Sequence, residues 1–143
     1  MRIEHSIEIA APRARVWALT MDLERWPEIT PTITHLERLD DAPLAVGSRV
    51  RIKQPGQGAR IWTVTALDPQ ERFEWSARLM GTTMTATHQL SEAPGGTTNR
   101  LVIDIEGHLS ALVGRLLRRP ILGALRLENA GFKAAAERTD DAS

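Results

Sequence analysis

The sequence has 143 residues, 42% of them apolar and 25% charged, with 18 lysines and arginines against 18 aspartates and glutamates, and no cysteine. Such a chain fits one soluble globular domain able to bury about two thirds of its unfolded surface, and its zero formal charge gives no overall pull toward nucleic acid or a membrane. The lack of cysteine excludes disulfides, thiolate metal ligands and cysteine nucleophiles. The opening MRIEHSIEIAAP carries charges inside its apolar run and does not read as a signal peptide. No stretch approaches the ~18 consecutive apolar residues of a membrane span. A cytoplasmic location is the expectation.

Residues 2–9 alternate, with Ile3, His5, Ile7 and Ile9 on one face, as a half-buried strand does. Pro12 suits the first turn of a helix that continues through Val16, Trp17, Leu19 and Thr20. Asp22 is expected to cap a second short helix, Leu23 to Trp26, which Pro27 and Pro31 stop. Further strands are expected at Thr32–Leu39, Arg49–Gln54 and Arg60–Leu67. Others follow around Phe73–Ala77, at Thr82–Leu90 and at Leu101–Ile105. The turn signals between them are short, which suits antiparallel neighbours. Asp104 and Glu106 share the polar face of the last strand and are expected to be solvated.

Leu109 to Arg138 reads as one long helix. Val113, Leu117, Ile121 and Leu125 recur at every fourth position, with Leu112 and Leu116 beside them. Pro120 removes a backbone donor inside this helix, so a kink or break is expected there. Strand, two helices, six strands and a long helix make an α+β chain, in which the helix covers the apolar face of the sheet. Residues 1–138 are expected to form a single domain, with 139–143 as a frayed polar tail.

The motifs strengthen this reading. The opening IEIAAPRARVWALTMDLERWPEITP contains Ala11-Pro12, Val16-Trp17, Asp22 and Trp26-Pro27. Farther on come Val46-Gly47-Ser48, Trp62-Thr63-Val64-Thr65 before Asp68-Pro69, His88-Gln89-Leu90, and Arg118-Arg119-Pro120. In this order they resemble the START-like (SRPBCC) superfamily, in its polyketide cyclase/dehydrase branch. The resemblance implies a helix-grip fold, in which a seven-stranded, curved antiparallel sheet wraps a long C-terminal helix around a hydrophobic cavity. That superfamily includes lipid carriers, aromatases/cyclases and quinone-binding proteins.

His88 shares a strand face with Met84, Ala86 and Leu90 and should point toward the helix. It is either a satisfied core histidine or a group that orients a ligand or moves a proton. Asn129 interrupts the row Leu122, Leu125, Asn129, Phe132, Ala136, and either aims its amide into the cavity or lies at the stripe's edge. Trp62 and Trp75 suit a planar ligand or the core, and Met80 and Met84 suit a pliable wall. Ile52, Ile105, Val113, Leu117 and Ile121 complete the expected apolar lining. His5 shares the reading of His88 more weakly, while His35 and His108 are expected at the surface. The four histidines lack ligand-like spacing, and neither a metal nor a cofactor is expected.

The expected function is binding or carriage of a small hydrophobic, lipid-like or aromatic/polyketide-like molecule. One alternative is a cyclase/dehydratase-type enzyme with His88 as its acid or base. Another is a partner-protein or membrane-surface module using Arg115, Arg118, Arg119 and Arg126. No nucleic-acid partner and no stable membrane insertion are expected. Binding to anionic vesicles is expected to be weak or absent, because the net charge is zero and no large apolar face should remain.

Overall fold

The computed structural model describes residues 1–138; the tail 139–143, for which fraying is expected, lies outside the described residues. Seven strands form one antiparallel sheet in the order β1-β7-β6-β5-β4-β3-β2. They are β1 (Arg2–Ile9), β2 (His35–Arg38), β3 (Arg49–Lys53), β4 (Arg60–Asp68), β5 (Arg72–Leu79), β6 (Thr82–Ala93) and β7 (Gly96–Glu106). The first strand pairs far along the sequence, with Ile3 opposite Ile103 and His5 opposite Leu101. The other strands follow one another as hairpin neighbours. A bulge between Val64 and Ala66 shifts the β4–β5 register. Such an extra residue bends a strand and increases local twist, which helps the sheet curve.

Period-two alternation sets the inner face. Val50 and Ile52, Trp62 and Val64, Phe73 and Trp75, Met84 and His88, and Leu101, Ile103 and Ile105 are all buried. Helix α1 (Arg13–Met21) and helix α2 (Trp26–Ile29), joined by the 3-10 turn Leu23–Arg25, lie between β1 and β2. Two local expectations change here. Pro27 lies within the first turn of α2 and does not stop a helix, because a proline there lacks a donor the helix does not need. Asp22 makes no side-chain cap; its backbone N–H closes α1 on the carbonyls of Ala18 and Leu19. The strand expected from Thr32 is also shorter, since Thr30 and Thr32 are buried in the loop before β2 and bond to each other through their hydroxyls.

The long helix is α3 (Ser110–Glu137), about 42 Å at ~1.5 Å per residue. Of the kink or break expected at Pro120, the break does not occur, and α3 continues through it as one helix. Pro120 and Leu116 are both exposed, so water can take the Leu116 carbonyl that loses its donor. The C-terminal half of α3 is pinned to the body. Arg15 donates to the carbonyls of Ala135, Ala136 and Arg138, a favourable charge at a helix C-terminus. Lys133 donates to the carbonyl of Glu8, and Glu137 accepts from the N–H of Ala10. At Gly131 the helix meets α2 so closely that an added Cβ would overlap the Ile29 carbonyl. The helix packs mainly on β1 and β7. Its side toward β3–β6 is left free to roof a cavity.

Candidate functional site

That cavity, of about 450 Å3, lies between α3 and the sheet. Its sheet side is Ile52, Trp62, Trp75, Met84, Ala86 and His88, with Leu101 and Ile103 from β7. Its helix side is Leu117, Pro120, Ile121, Ala124, Leu125 and Glu128. Gln54 and Gln57 from the β3–β4 loop and Arg60 at the start of β4 also line it, and Arg60 donates to the Gln57 side chain. Met80 also lines it while remaining 60% exposed, so it forms part of the mouth. Met80 and Gly81 make the two-residue turn between β5 and β6, and both have positive φ, 51° and 75°. A mirror-image turn of this kind matches strand twist, but it is uncommon for a side chain as large as methionine.

His88 lies within the protein, 4% exposed. Its ring sits 5.2 Å from Trp26 and 5.9 Å from both Phe73 and Phe132. Burial among these apolar rings lowers the imidazole to about 4, so it is neutral at pH 7. Its Nδ1 has no hydrogen-bond partner among the described residues. A buried polar atom without a partner carries a desolvation cost that a ligand's own polar group can offset.

Glu128 faces the same cavity and was not singled out from the sequence. Burial raises its carboxyl to about 7, against the opposing pull of a hydrogen bond from Thr32. That bond, from Thr32 Oγ1 to Glu128 Oε1, is 3.0 Å long, and Thr30 Oγ1 lies 2.9 Å from Thr32 Oγ1. A signal for Glu128 did exist. Leu117, Ile121, Ala124 and Glu128 step by four, three and four, so they share one helix face, and Glu128 ends that apolar row.

Asn129, by contrast, is not part of the cavity wall. It is fully buried on the side of α3 that meets β1 and β7. Its Oδ1 accepts from Asn99 Nδ2 at 2.8 Å, and its Nδ2 donates to His5 Nδ1 at 2.8 Å and to the His5 carbonyl at 3.1 Å. Its amide is therefore consumed in holding the helix to the sheet. Asn129→Leu is expected to cost roughly 1–3 kcal/mol of stability by orphaning Asn99 and His5, with ligand affinity unchanged; urea unfolding and a binding titration check both halves.

Ile105 and Val113 are also corrected. Both are buried in the core cluster and absent from the cavity lining, because α3 packs down on the sheet near its start. Ile52, Trp62, Trp75, Met80, Met84, His88, Leu117 and Ile121 do line one cavity, as the strand and helix periods predict. His35 and His108 are exposed, and Asp104 pairs with Arg2 at the surface. Among the described residues no group of three or more His, Asp or Glu is placed to hold a metal ion. Among them no helix is long and apolar enough to cross a membrane.

A 450 Å3 cavity with apolar walls and a few converging polar groups is the usual makeup of a small-molecule site. Comparison with known proteins agrees. The chain is 38% identical over 71 residues to the granaticin polyketide synthase bifunctional cyclase/dehydratase of Streptomyces virginiae, a match covering 48% of this chain and 23% of that protein. It is 37% identical over 60 residues to a putative polyketide cyclase of Streptomyces cyaneus, covering 42% of this chain and 39% of that one. The chain thus spans well under half the length of either relative. Its fold matches that of a START superfamily protein from Mycobacterium smegmatis with a TM-score of 0.77 at 16% identity, over 95% of this chain and 97% of that one. A family model described as "Polyketide cyclase / dehydrase and lipid transport" matches residues 1–137. With that match running through the sheet, the cavity walls and the gripping helix alike, the chain belongs to the polyketide cyclase/dehydrase and lipid transport family.

Proposed function

We propose that the protein binds and carries a small, mostly apolar molecule that bears one hydroxyl or carbonyl group. The observation that carries this reading is His88, a buried residue in the lining of an apolar cavity, with an Nδ1 that has no hydrogen-bond partner among the described residues. Trp62 and Trp75, with ring centroids 5.8 Å apart, supply flat apolar contact suited to an aromatic ligand. Native mass spectrometry of freshly purified protein should show a bound small molecule released on denaturation. His88→Ala should then weaken its binding roughly tenfold to a hundredfold, the effect of ~1–3 kcal/mol for a lost polar partner. Unchanged affinity in that variant would overturn the carrier role given to His88.

A second reading, a cyclase/dehydratase-type reaction, is favoured by the pairing of His88 with Glu128. One group is neutral and able to accept a proton, and the other still holds a proton near neutral pH. Such separated titrations suit base and acid roles. In a ring closure, His88 would take the proton of a C–H next to a carbonyl, and the resulting enolate would attack a second carbonyl. Glu128 would protonate the oxygen of that second carbonyl. Loss of water then follows without any oxidant. On this reading His88→Ala lowers turnover ~10²–10⁴-fold and leaves binding nearly unchanged, the reverse of the carrier outcome.

A further inference from the structure

The outer side of α3 does not look like an ordinary solvated helix face. Leu109, Leu112, Leu116 and Leu127 are 50%, 54%, 62% and 51% exposed. With ~100° between successive residues, these four fall with Pro120 and Gly123 within about 80° of one another. They form a second apolar stripe, directed away from the core. The expectation that no apolar face remains is therefore corrected. The buried stripe needs only one side of the helix, and the sequence carries leucines on both.

The two borders of this stripe differ. On one side run Arg115, Arg119 and Arg126, with Arg118 beyond them, and all four are exposed. None of the four forms an ion pair among the described residues, and no acidic residue lies between Ser110 and Arg126. On the other side lie Leu117, Ile121 and Ala124, which line the cavity, and Pro120 belongs to both stripe and lining. Basic rim, apolar stripe and cavity wall thus follow one another around the helix.

We propose that this outer face of α3 docks in the plane of an anionic phospholipid bilayer. The leucines enter the headgroup boundary and the arginines meet the lipid phosphates. Charge complementarity selects an anionic surface over a second copy of the chain, because apposed copies would bring the unpaired arginines together. Continuity with the cavity wall gives the docking a use, since an apolar ligand could pass between bilayer and cavity without crossing water. The surface itself stands on the exposed stripe and arginines and does not depend on which ligand the cavity holds.

Flotation of the full chain with vesicles of phosphatidylcholine and phosphatidylglycerol tests this. At low salt the protein should float with mixed vesicles and not with pure phosphatidylcholine. Binding should fall at least tenfold between ~0.02 and ~0.15 M salt, as screening sets in. The double variant Leu112→Ser, Leu116→Ser changes only exposed positions and should keep its unfolding midpoint while losing at least tenfold in vesicle binding. Arg115→Gln with Arg119→Gln should do the same and flatten the salt dependence. His88→Ala should float like the wild type, which separates this surface from the cavity. No flotation at low salt, or flotation equal on neutral vesicles, overturns the proposal. So does a dimer in sedimentation that the leucine variant dissociates, since a second copy would then cover the stripe.

Discussion

Trp26→Ala is expected to destabilise the protein by about 4–5 kcal/mol, a larger loss than any other single side-chain truncation in this core should cause. The indole is 2% exposed and meets Trp75 at 5.3 Å and Phe132 at 5.6 Å, both edge-on, as well as Phe73 and His88. Its Nε1–H donates to the Leu19 carbonyl at 3.2 Å, tying α2 to α1. Trp→Ala in a core costs ~3–5 kcal/mol in lost transfer energy and cavity formation, and the lost indole hydrogen bond adds ~0.5–1 kcal/mol, the Leu19 carbonyl keeping the Asp22 N–H. Against a typical total of ~5–15 kcal/mol, such a variant stands near the edge of unfolding. Urea denaturation should show the loss as a lower midpoint at similar slope. Trp26→Phe keeps a ring against Phe73 and Phe132 and should lose less than half as much. A loss below ~1 kcal/mol for the alanine variant would show that this cluster does not hold the short helices to the sheet.

Glu128→Gln is expected to stabilise the protein, and to do so only away from acid. Burial raises the folded carboxyl from 4.5 to about 7. Between those values the folded state holds a proton that the unfolded state has released, so stability falls as pH rises through this window. Glutamine removes that loss and still offers an oxygen to Thr32. The variant should match the wild type near pH 4.5 and exceed it by roughly 2–3 kcal/mol above pH 7, at ~1.36 kcal/mol for each tenfold difference in proton affinity between folded and unfolded chain, with allowance for partial exposure. His88 works in the opposite sense. Its folded imidazole titrates at about 4 against its ordinary 6.5, so its contribution is present above pH 6.5 and lost as pH falls toward 4. In the wild type the two slopes oppose each other between about pH 4.5 and 6.5. In Glu128→Gln only the His88 slope remains, and stability should climb with pH across that interval. Urea midpoints of both proteins at pH 5 and pH 8 check this. An equal difference at the two pH values would mean that Glu128 is not held protonated by its surroundings.

The strands, their inner faces and the long helix were legible from residue order alone. Alternation along Val50–Ile52, Trp62–Val64 and Phe73–Trp75 is a local property, and so is the four-residue spacing of Val113, Leu117, Ile121 and Leu125. Either can place a side chain on a face before any tertiary contact forms. His88 could be aimed at the helix on those grounds, and eight of the eleven expected lining residues do meet in one cavity. The roll of α3 against the sheet was not readable in this way. Asn129 and Glu128 are adjacent, hence ~100° apart on the helix, and the sequence allowed either to face the cavity. Long-range contacts choose between them. Arg15 grips the end of α3, Gly131 lets it close on Ile29, and Asn99 with His5 takes up the Asn129 amide. With those contacts made, Glu128 is turned into the cavity, and Ile105 and Val113 are closed into the core where helix and sheet touch. The same roll turns Leu109, Leu112, Leu116 and Leu127 outward. Periodicity tells which residues travel together around a helix, while the direction they face is set by partners far away in the chain.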